Sequence, residues 1–159
     1  MRPRLFLTSL LAGVFVGGFP LYAADLVVMV DNLRSGEGLL RLALYDRAEL
    51  FPKQGEGRFK IDLPARAGRM EVVFPGLAPG RYALALFHDE NGDNIFDQGL
   101  FGLPQEGYGF SRDAPVFLSA PSFDQAAVDV AEPSRIITVH LSYWNRDEPR
   151  EGPLKLFGQ

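Results

Sequence analysis

The chain has 159 residues, with 16 basic and 20 acidic side chains, two histidines and no cysteine. The hydrophobic share of 47% excludes a chain that is disordered for lack of apolar residues, and the missing cysteine excludes a disulfide scaffold. The 17 glycines and 12 prolines favour many turns over long helices.

The first 24 residues have the layout of a secretory signal peptide. Arg2 and Arg4 precede an uncharged, mostly apolar stretch over residues 5–19, and the small residues Ala23 and Ala24 follow it. The stretch is shorter than the roughly 20 residues that span a bilayer, which disfavours a membrane anchor. We therefore expect cleavage after Ala23 or Ala24 and a periplasmic or extracellular protein that does not span the membrane.

Removal of residues 1–24 leaves 14 basic and 20 acidic residues, a net charge of −6. A surface of this charge disfavours nucleic acid as a partner and favours a cation. The remaining length suits a single domain, which we expect over residues 25–144. Residues 145–159 carry six charged side chains and two prolines, and they predict a flexible charged tail.

Alternation of apolar and polar residues predicts a series of strands. Residues 26–30 are all apolar, which indicates a strand buried on both faces. Other segments alternate with a period of two, and they cover residues 39–45, 70–74, 82–86 and 137–143, with a weaker candidate at 125–130. Helical periodicity is confined to about one turn at 46–51, and residues 51–69 follow no clear pattern. About seven strands joined by turns predict an all-β fold, a single antiparallel β-sandwich with one long loop rich in acidic residues and glycine.

A proline-glycine turn separates two of these strands. Pro79 fixes φ and Gly80 is expected to supply a positive φ, so that a new strand starts at Tyr82. The sequence from Phe74 to Leu86 resembles the turn and following strand of transthyretin-like and carboxypeptidase-regulatory-like β-sandwiches, in which the tyrosine ring lies in the core. The resemblance implies a sandwich of transthyretin-like or immunoglobulin-like type.

The segment after Phe87 carries the strongest chemical signal. Oxygen-bearing side chains occupy relative positions 1, 3, 5 and 9 of a loop of EF-hand type, and a backbone carbonyl is available at position 7. In order, these residues are Asp89, Asn91, Asp93 and Asp97, with the carbonyl of Ile95. The pattern departs from such a loop at position 6, where Asn94 replaces glycine, and at position 12, where Leu100 replaces a carboxylate.

Two interpretations of this segment stay open. As a cation site it predicts calcium, because the ligands are all oxygen and flexible, and Glu90, Glu106 or Asp113 would supply the missing carboxylate. As a metal-free turn, its Asp and Asn side chains would cap their own backbone. A transition metal is the least favoured alternative. Three carboxylates within nine residues repel one another without a cation, which favours the calcium site.

Several motifs along the chain form a recognisable set. They lie at residues 87–91, at Asp97, and at residues 102–104, 106–111 and 121–123. Together they resemble a family of secreted bacterial proteins catalogued as domain of unknown function 2141. The resemblance covers about residues 26–143, and it implies an exported β-sandwich with no established activity.

Five residues are candidates for a ligand surface: His88, Glu106, Tyr108, Phe110 and Arg112. The two aromatic faces would stack on a sugar ring or a peptide while the charged groups fix its orientation. In the alternative interpretation the two rings plug the end of the core, and His88 has a structural role in which it bonds a loop carbonyl.

The sequence favours binding over catalysis, and we assign no catalytic residue. Ser111 lacks the glycine pattern of a nucleophile elbow, and the chain offers no cysteine as a zinc ligand. We expect a non-enzymatic module that recognises a ligand or protein of the cell envelope. The alternative function is a hydrolase of envelope polysaccharide or peptide that uses Glu106, Asp113 or His88.

Overall fold

The structure, a computed structural model, describes residues 23–99 and 102–144. The predicted tail and almost all of the predicted signal peptide lie outside the described residues. Ala24 is described: it opens the first strand, is buried, and pairs with Leu77. In the part of the chain that the structure describes, none of the helical segments has the length and apolar character to span a membrane.

Strands dominate the described residues, and a short α-helix and a 3-10 turn lie between the last of them. The strands are β1 (Ala24–Leu33), β2 (Leu39–Tyr45), β3 (Phe59–Pro64), β4 (Gly68–Leu77), β5 (Gly80–Asp89), β6 (Gly107–Phe110), β7 (Val128–Val130) and β8 (Ser134–His140). The 3-10 turn covers Ser111–Asp113, and the helix α1 covers Phe123–Ala126.

The strands form two sheets that face each other across one core. The smaller sheet has the order β4-β1-β8, and the larger one has the order β3-β2-β5-β6, with β7 pairing with the start of β5. The predicted all-β sandwich is confirmed. One pair departs from the antiparallel expectation, because β1 and β8 run parallel from Asp25–Ser134 to Asp31–His140. Such a pair requires a long crossover, and here the chain forms the other sheet before it returns.

The core is built by the inward side chains of both sheets, as the alternation requires. Leu40, Leu42 and Leu44 of β2 face the core, and so do Leu84 and Leu86 of β5. The smaller sheet contributes the apolar residues Leu26, Val28, Val30, Val72, Phe74, Ile137 and Val139. Burial of this apolar area is the main term that holds the sheets together.

Two local expectations were wrong, a third was right only in part, and one segment without a prediction forms a strand. Residues 46–51 form turns and not a helix, and residues 59–64, which had no clear pattern, form β3. The positive φ near the proline-glycine turn belongs to Gly76, at 68°, and not to Gly80. The weak strand predicted at 125–130 is confirmed only over Val128–Val130, which is β7. The residues before it form α1, because a Ser122–Gln125 capping box starts a helical turn.

Candidate functional site

An acidic turn, defined here as residues 89–97, begins where β5 ends. His88 of β5 pairs with Gly107 of β6, so the chain between them leaves the sheet and returns to the same place. On the way back, the Gln105 N–H donates to the carbonyl of Asp97 at 3.0 Å. This contact brings Glu106 against the acidic turn.

The Asp89 carboxylate anchors the turn from within. It is fully buried, and it accepts hydrogen bonds from the N–H groups of Gly92 at 2.8 Å and Asn94 at 3.0 Å and from Nε of Arg41. Burial raises the pKa of Asp89, but the bonds from Arg41 and the two N–H groups outweigh it and hold the pKa below its ordinary value. Asn94 has φ of 69°, the left-handed conformation that asparagine tolerates at position 6.

Three further side chains of the turn converge on one another. One oxygen of Asn91 and one of Asp93 cap the N–H groups two residues on, at 3.0 Å and 2.8 Å. The amide nitrogen of Asn91 then donates to Oδ2 of Asp93 at 3.1 Å and to Oδ2 of Asp97 at 2.9 Å. The backbone capping expected for a metal-free turn is therefore present. It leaves Oδ2 of Asp93 and Oδ2 of Asp97 close to the same amide nitrogen.

Glu106 lies behind this turn and is only partly satisfied. Its Oε2 accepts from the Asp97 N–H at 3.2 Å, whereas its Oε1 is buried and has no hydrogen-bond partner among the described residues. The residue is 4% exposed. Burial, together with the charges of Asp89 and Asp97, raises the pKa of Glu106 to about 7.

His88 lies inside the sandwich and not at the surface. Its Nε2 donates to the carbonyl of Glu37 at 2.8 Å, which leaves Nδ1 to accept from the Tyr143 hydroxyl at 2.8 Å. Gly107 makes room for this tyrosine, because a Cβ at that position would lie 2.3 Å from the ring. These contacts match a structural role for His88, in which it bonds a loop carbonyl.

Tyr108 and Phe110 are half-buried on the outer face of the larger sheet. They belong to a row of rings in edge-to-face contact, with centroid separations of 5.6 Å for Phe87–Phe96, 6.2 Å for Phe96–Tyr108 and 6.3 Å for Tyr108–Phe110. Phe110 continues the row to the buried Phe51. The rings therefore cover part of the outer face of the larger sheet, and Phe96 connects the row to the acidic turn.

The segment after β6, residues 111–122, is called the Phe117 loop here. The buried Ser111 hydroxyl accepts from the Leu84 N–H at 2.9 Å and donates to the Ala126 carbonyl at 2.6 Å. Asp113 accepts from the backbone N–H of His140 at 2.9 Å and from its Nδ1 at 2.7 Å. The base of the loop is thus tied to both sheets.

The tip of this loop exposes two large apolar side chains. Phe117 is 72% exposed and Leu118 is 97% exposed. Leu118 has φ of 60°, and Arg112 and Asp113 at the base have φ of 64° and 46°, so three residues other than glycine adopt the left-handed conformation. This tip is not among the site candidates predicted from the sequence. The signal that would have found it is the apolar run Val116-Phe117-Leu118, which lacks alternation although prolines flank it closely.

Ion pairs satisfy two of the acidic side chains around the turn. Asp89 contacts Arg41, and Glu90 contacts Arg34, which lowers the pKa of Glu90. Among the described residues, no three Asp, Glu or His side chains lie close enough in this arrangement to hold a metal ion. The candidate ligands are therefore near one another without being assembled.

A shallow cleft of about 510 Å³ lies at the other end of β5, near Gly80–Tyr82. Asp46, Arg58 and Arg81 contribute its charged groups. The residues proposed for a hydrolase lie elsewhere: Glu106 precedes β6, Asp113 follows it, and His88 is buried. The described residues do not bring these three together around the cleft.

Comparison with known families supplies the remaining observation. A family described as "Uncharacterized protein conserved in bacteria (DUF2141)" matches residues 28–138, more than two thirds of the chain. The chain belongs to this family. The resemblance inferred from the motifs is thereby confirmed, whereas the transthyretin-like resemblance stays a prediction. No curated protein and no solved structure matches the chain.

Proposed function

We propose that this protein is a non-enzymatic, exported recognition module of the cell envelope, and that it binds a partner protein through the Phe117 loop. The observation that carries the proposal is the exposure of Phe117 and Leu118 at one tip. Large apolar side chains that stand together in water mark interaction sites more often than isolated ones do. Export rests on the signal-peptide layout of residues 1–24.

The anchoring of the loop supports a role in recognition. Ser111 and Asp113 tie its first residues to the core and to β8, and the Ser122–Gln125 capping box fixes its end. A loop that is held in one conformation before binding loses less conformational entropy when a partner arrives. The fixed base therefore favours presentation of the tip over collapse of the tip onto the sandwich.

Backbone strain at the tip is a second supporting feature. A left-handed conformation costs a residue such as leucine roughly 1–2 kcal/mol, and among the described residues Leu118 is the most exposed of the large apolar ones. Since the fold gains little from a side chain in water, strain at Leu118 is better explained by a use outside the fold.

A site-specific photo-crosslinking experiment in the producing cell tests the proposal. p-Benzoylphenylalanine at position 117 preserves an aromatic ring, and we expect a discrete covalent adduct with one partner protein. An adduct of twice the mass of the chain would identify a second copy as that partner. The double substitution Phe117→Ser with Leu118→Ser should abolish the adduct formed by a crosslinker at Val116.

Ile136 provides the matched control, because it is an exposed apolar residue on β8 and not part of the loop. The same crosslinker at position 136 should give no discrete adduct. Equal labelling from positions 117 and 136, or no adduct from position 117, would contradict the proposal. The melting temperature of the double variant shows whether it is folded. A folded variant that gives no adduct has lost recognition and not structure.

A further inference from the structure

The acidic turn has more negative charge than its surroundings balance. Arg41 compensates Asp89, and Arg34 compensates Glu90. Asp93, Asp97 and Glu106 have no ion pair among the described residues. Asp93 and Asp97 share the Asn91 amide, and Glu106 touches the Asp97 N–H. The three carboxylates are not assembled in this structure, and a cation that drew them together would compensate their charges.

Glu106 provides an observation that is independent of the acidic cluster. Its Oε1 is buried and makes no hydrogen bond, while its Oε2 touches the backbone of Asp97. A buried carboxylate oxygen without a partner is unfavourable unless a ligand completes it. The carboxylate that position 12 of the loop lacks is therefore available from Glu106, the residue before β6.

The amide of Asn91 marks the place where the charges converge. Its nitrogen, which carries partial positive charge, lies between Oδ2 of Asp93 and Oδ2 of Asp97. Rotation of this amide, which gives up its cap on the Asp93 N–H, would turn its oxygen toward the same point. The turn would then present oxygen atoms from Asn91, Asp93 and Asp97 at the positions that a calcium loop uses.

We propose that the acidic turn binds one calcium ion through Asn91, Asp93, Asp97, the carbonyl of Ile95, and Glu106 in place of the missing carboxylate at position 12. Asp89 anchors the turn through its contacts with Arg41 and two N–H groups. Calcium is favoured over magnesium because calcium accepts many oxygen ligands in irregular geometry, whereas magnesium requires a near-ideal octahedron. Through Phe96, the bound ion fixes one end of the row of rings on the larger sheet.

Calorimetric titration of the purified, chelator-stripped protein with calcium chloride tests this inference. We expect one ion per chain, with a dissociation constant in the range of about 10⁻⁴–10⁻³ M found for extracellular sites, or tighter. Magnesium chloride should bind at least tenfold more weakly. Glu106→Gln and Asp97→Asn should each weaken calcium binding at least tenfold, because each removes one charged ligand without removing volume.

Glu90→Gln is the matched control, since this carboxylate lies in the same turn but pairs with Arg34. Its calcium affinity should equal that of the unaltered protein. Because Glu106→Gln replaces a buried charge by a neutral group, this variant should remain folded in chelator, as its near-ultraviolet circular dichroism would show. The inference is overturned by an unaltered protein that binds no calcium at about 10 mM, above the range of weak extracellular sites. It is also overturned by equal affinity for magnesium, or by equal losses in the Glu90 and Glu106 variants.

Discussion

Two buried polar side chains, His88 and Glu106, lie near the end of β5, and they differ in how many of their polar atoms have hydrogen-bond partners. His88 bonds the Glu37 carbonyl and the Tyr143 hydroxyl, so both ring nitrogens have partners. Glu106, which precedes the partner strand of His88, leaves one oxygen unpaired. A complete buried network stabilises the fold, whereas an incomplete one indicates a group that awaits a ligand. In this region, His88 therefore has a structural role, and Glu106 is the candidate for binding.

Removal of the histidine should have the largest effect on stability. His88→Ala removes two hydrogen bonds, leaves the Glu37 carbonyl and Tyr143 hydroxyl unpaired, and opens a cavity, so we expect a loss of about 3 kcal/mol in the free energy of unfolding. Urea denaturation measures it. His140→Ala, which removes an exposed side-chain hydrogen bond to Asp113, should lose about 1 kcal/mol or less. Similar losses in the two variants would contradict the structural role of His88.

Gly107→Ala should disturb the same network from the other strand. The added Cβ would lie 2.3 Å from the Tyr143 ring, and displacement of that ring should destabilise the fold by about 1–3 kcal/mol. Thermal unfolding would show the change. Gly36→Ala is a suitable control because its Cβ would approach no atom closer than 3.6 Å. A Gly107 variant as stable as the Gly36 variant would show that Tyr143 is not held in this position.

When no cation is present, Glu106→Gln should increase the free energy of unfolding, whereas the His88 and Gly107 variants decrease it. The ordinary pKa of 4.5 is raised to about 7 in the fold, so between these values the folded state holds a proton that the unfolded state has released. In chelator, the stability of the unaltered protein should therefore fall as the pH rises from about 4.5 to 7. The variant should lack this slope and be more stable by about 1 kcal/mol at alkaline pH. Denaturation curves at several pH values measure the slope and the gain in stability. Parallel pH profiles of the variant and the unaltered protein would contradict the raised pKa of Glu106.

Leu118→Gly should have the smallest effect, because Leu118 makes no contact with His88 or Glu106 among those described and is almost fully exposed. Glycine adopts the left-handed conformation without strain, and Leu118 contributes almost no burial, so we expect a gain of about 0.5–1 kcal/mol. Differential scanning calorimetry would detect it. Phe117→Gly, which relieves no such strain, should show no gain. If both variants lose stability, the tip packs on the fold in solution.

Much of the fold was predictable from local pattern. The period-two alternation in β2, β4, β5 and β8 places apolar side chains on one face of each strand, and the structure buries those faces. The strand β3 was missed because the turn-rich residues before it obscure its alternation. The parallel pairing of β1 with β8 was unpredictable, since no local pattern determines which distant strand lies alongside another.

The candidate site was predictable in its local contacts and unpredictable in its distant ones. The spacing of Asp89, Asn91 and Asp93 specifies the capping bonds and the left-handed Asn94, which depend on neighbours in the chain. The contact between Arg41 and Asp89 joins residues 48 positions apart, and only the pairing of β2 with β5 creates it. The selection of Glu106 over Glu90 or Asp113 likewise required the positions of Arg34 and His140.

The most direct test of the calcium site is a crystal structure of the protein grown with calcium. We expect an ion with oxygen ligands at about 2.3–2.6 Å from Asp93, Asp97 and Glu106, and an Asn91 amide turned to present its oxygen. The proposal would be contradicted if, at saturating calcium, the Asn91 nitrogen still lay between the two aspartates and Glu106 faced no ion.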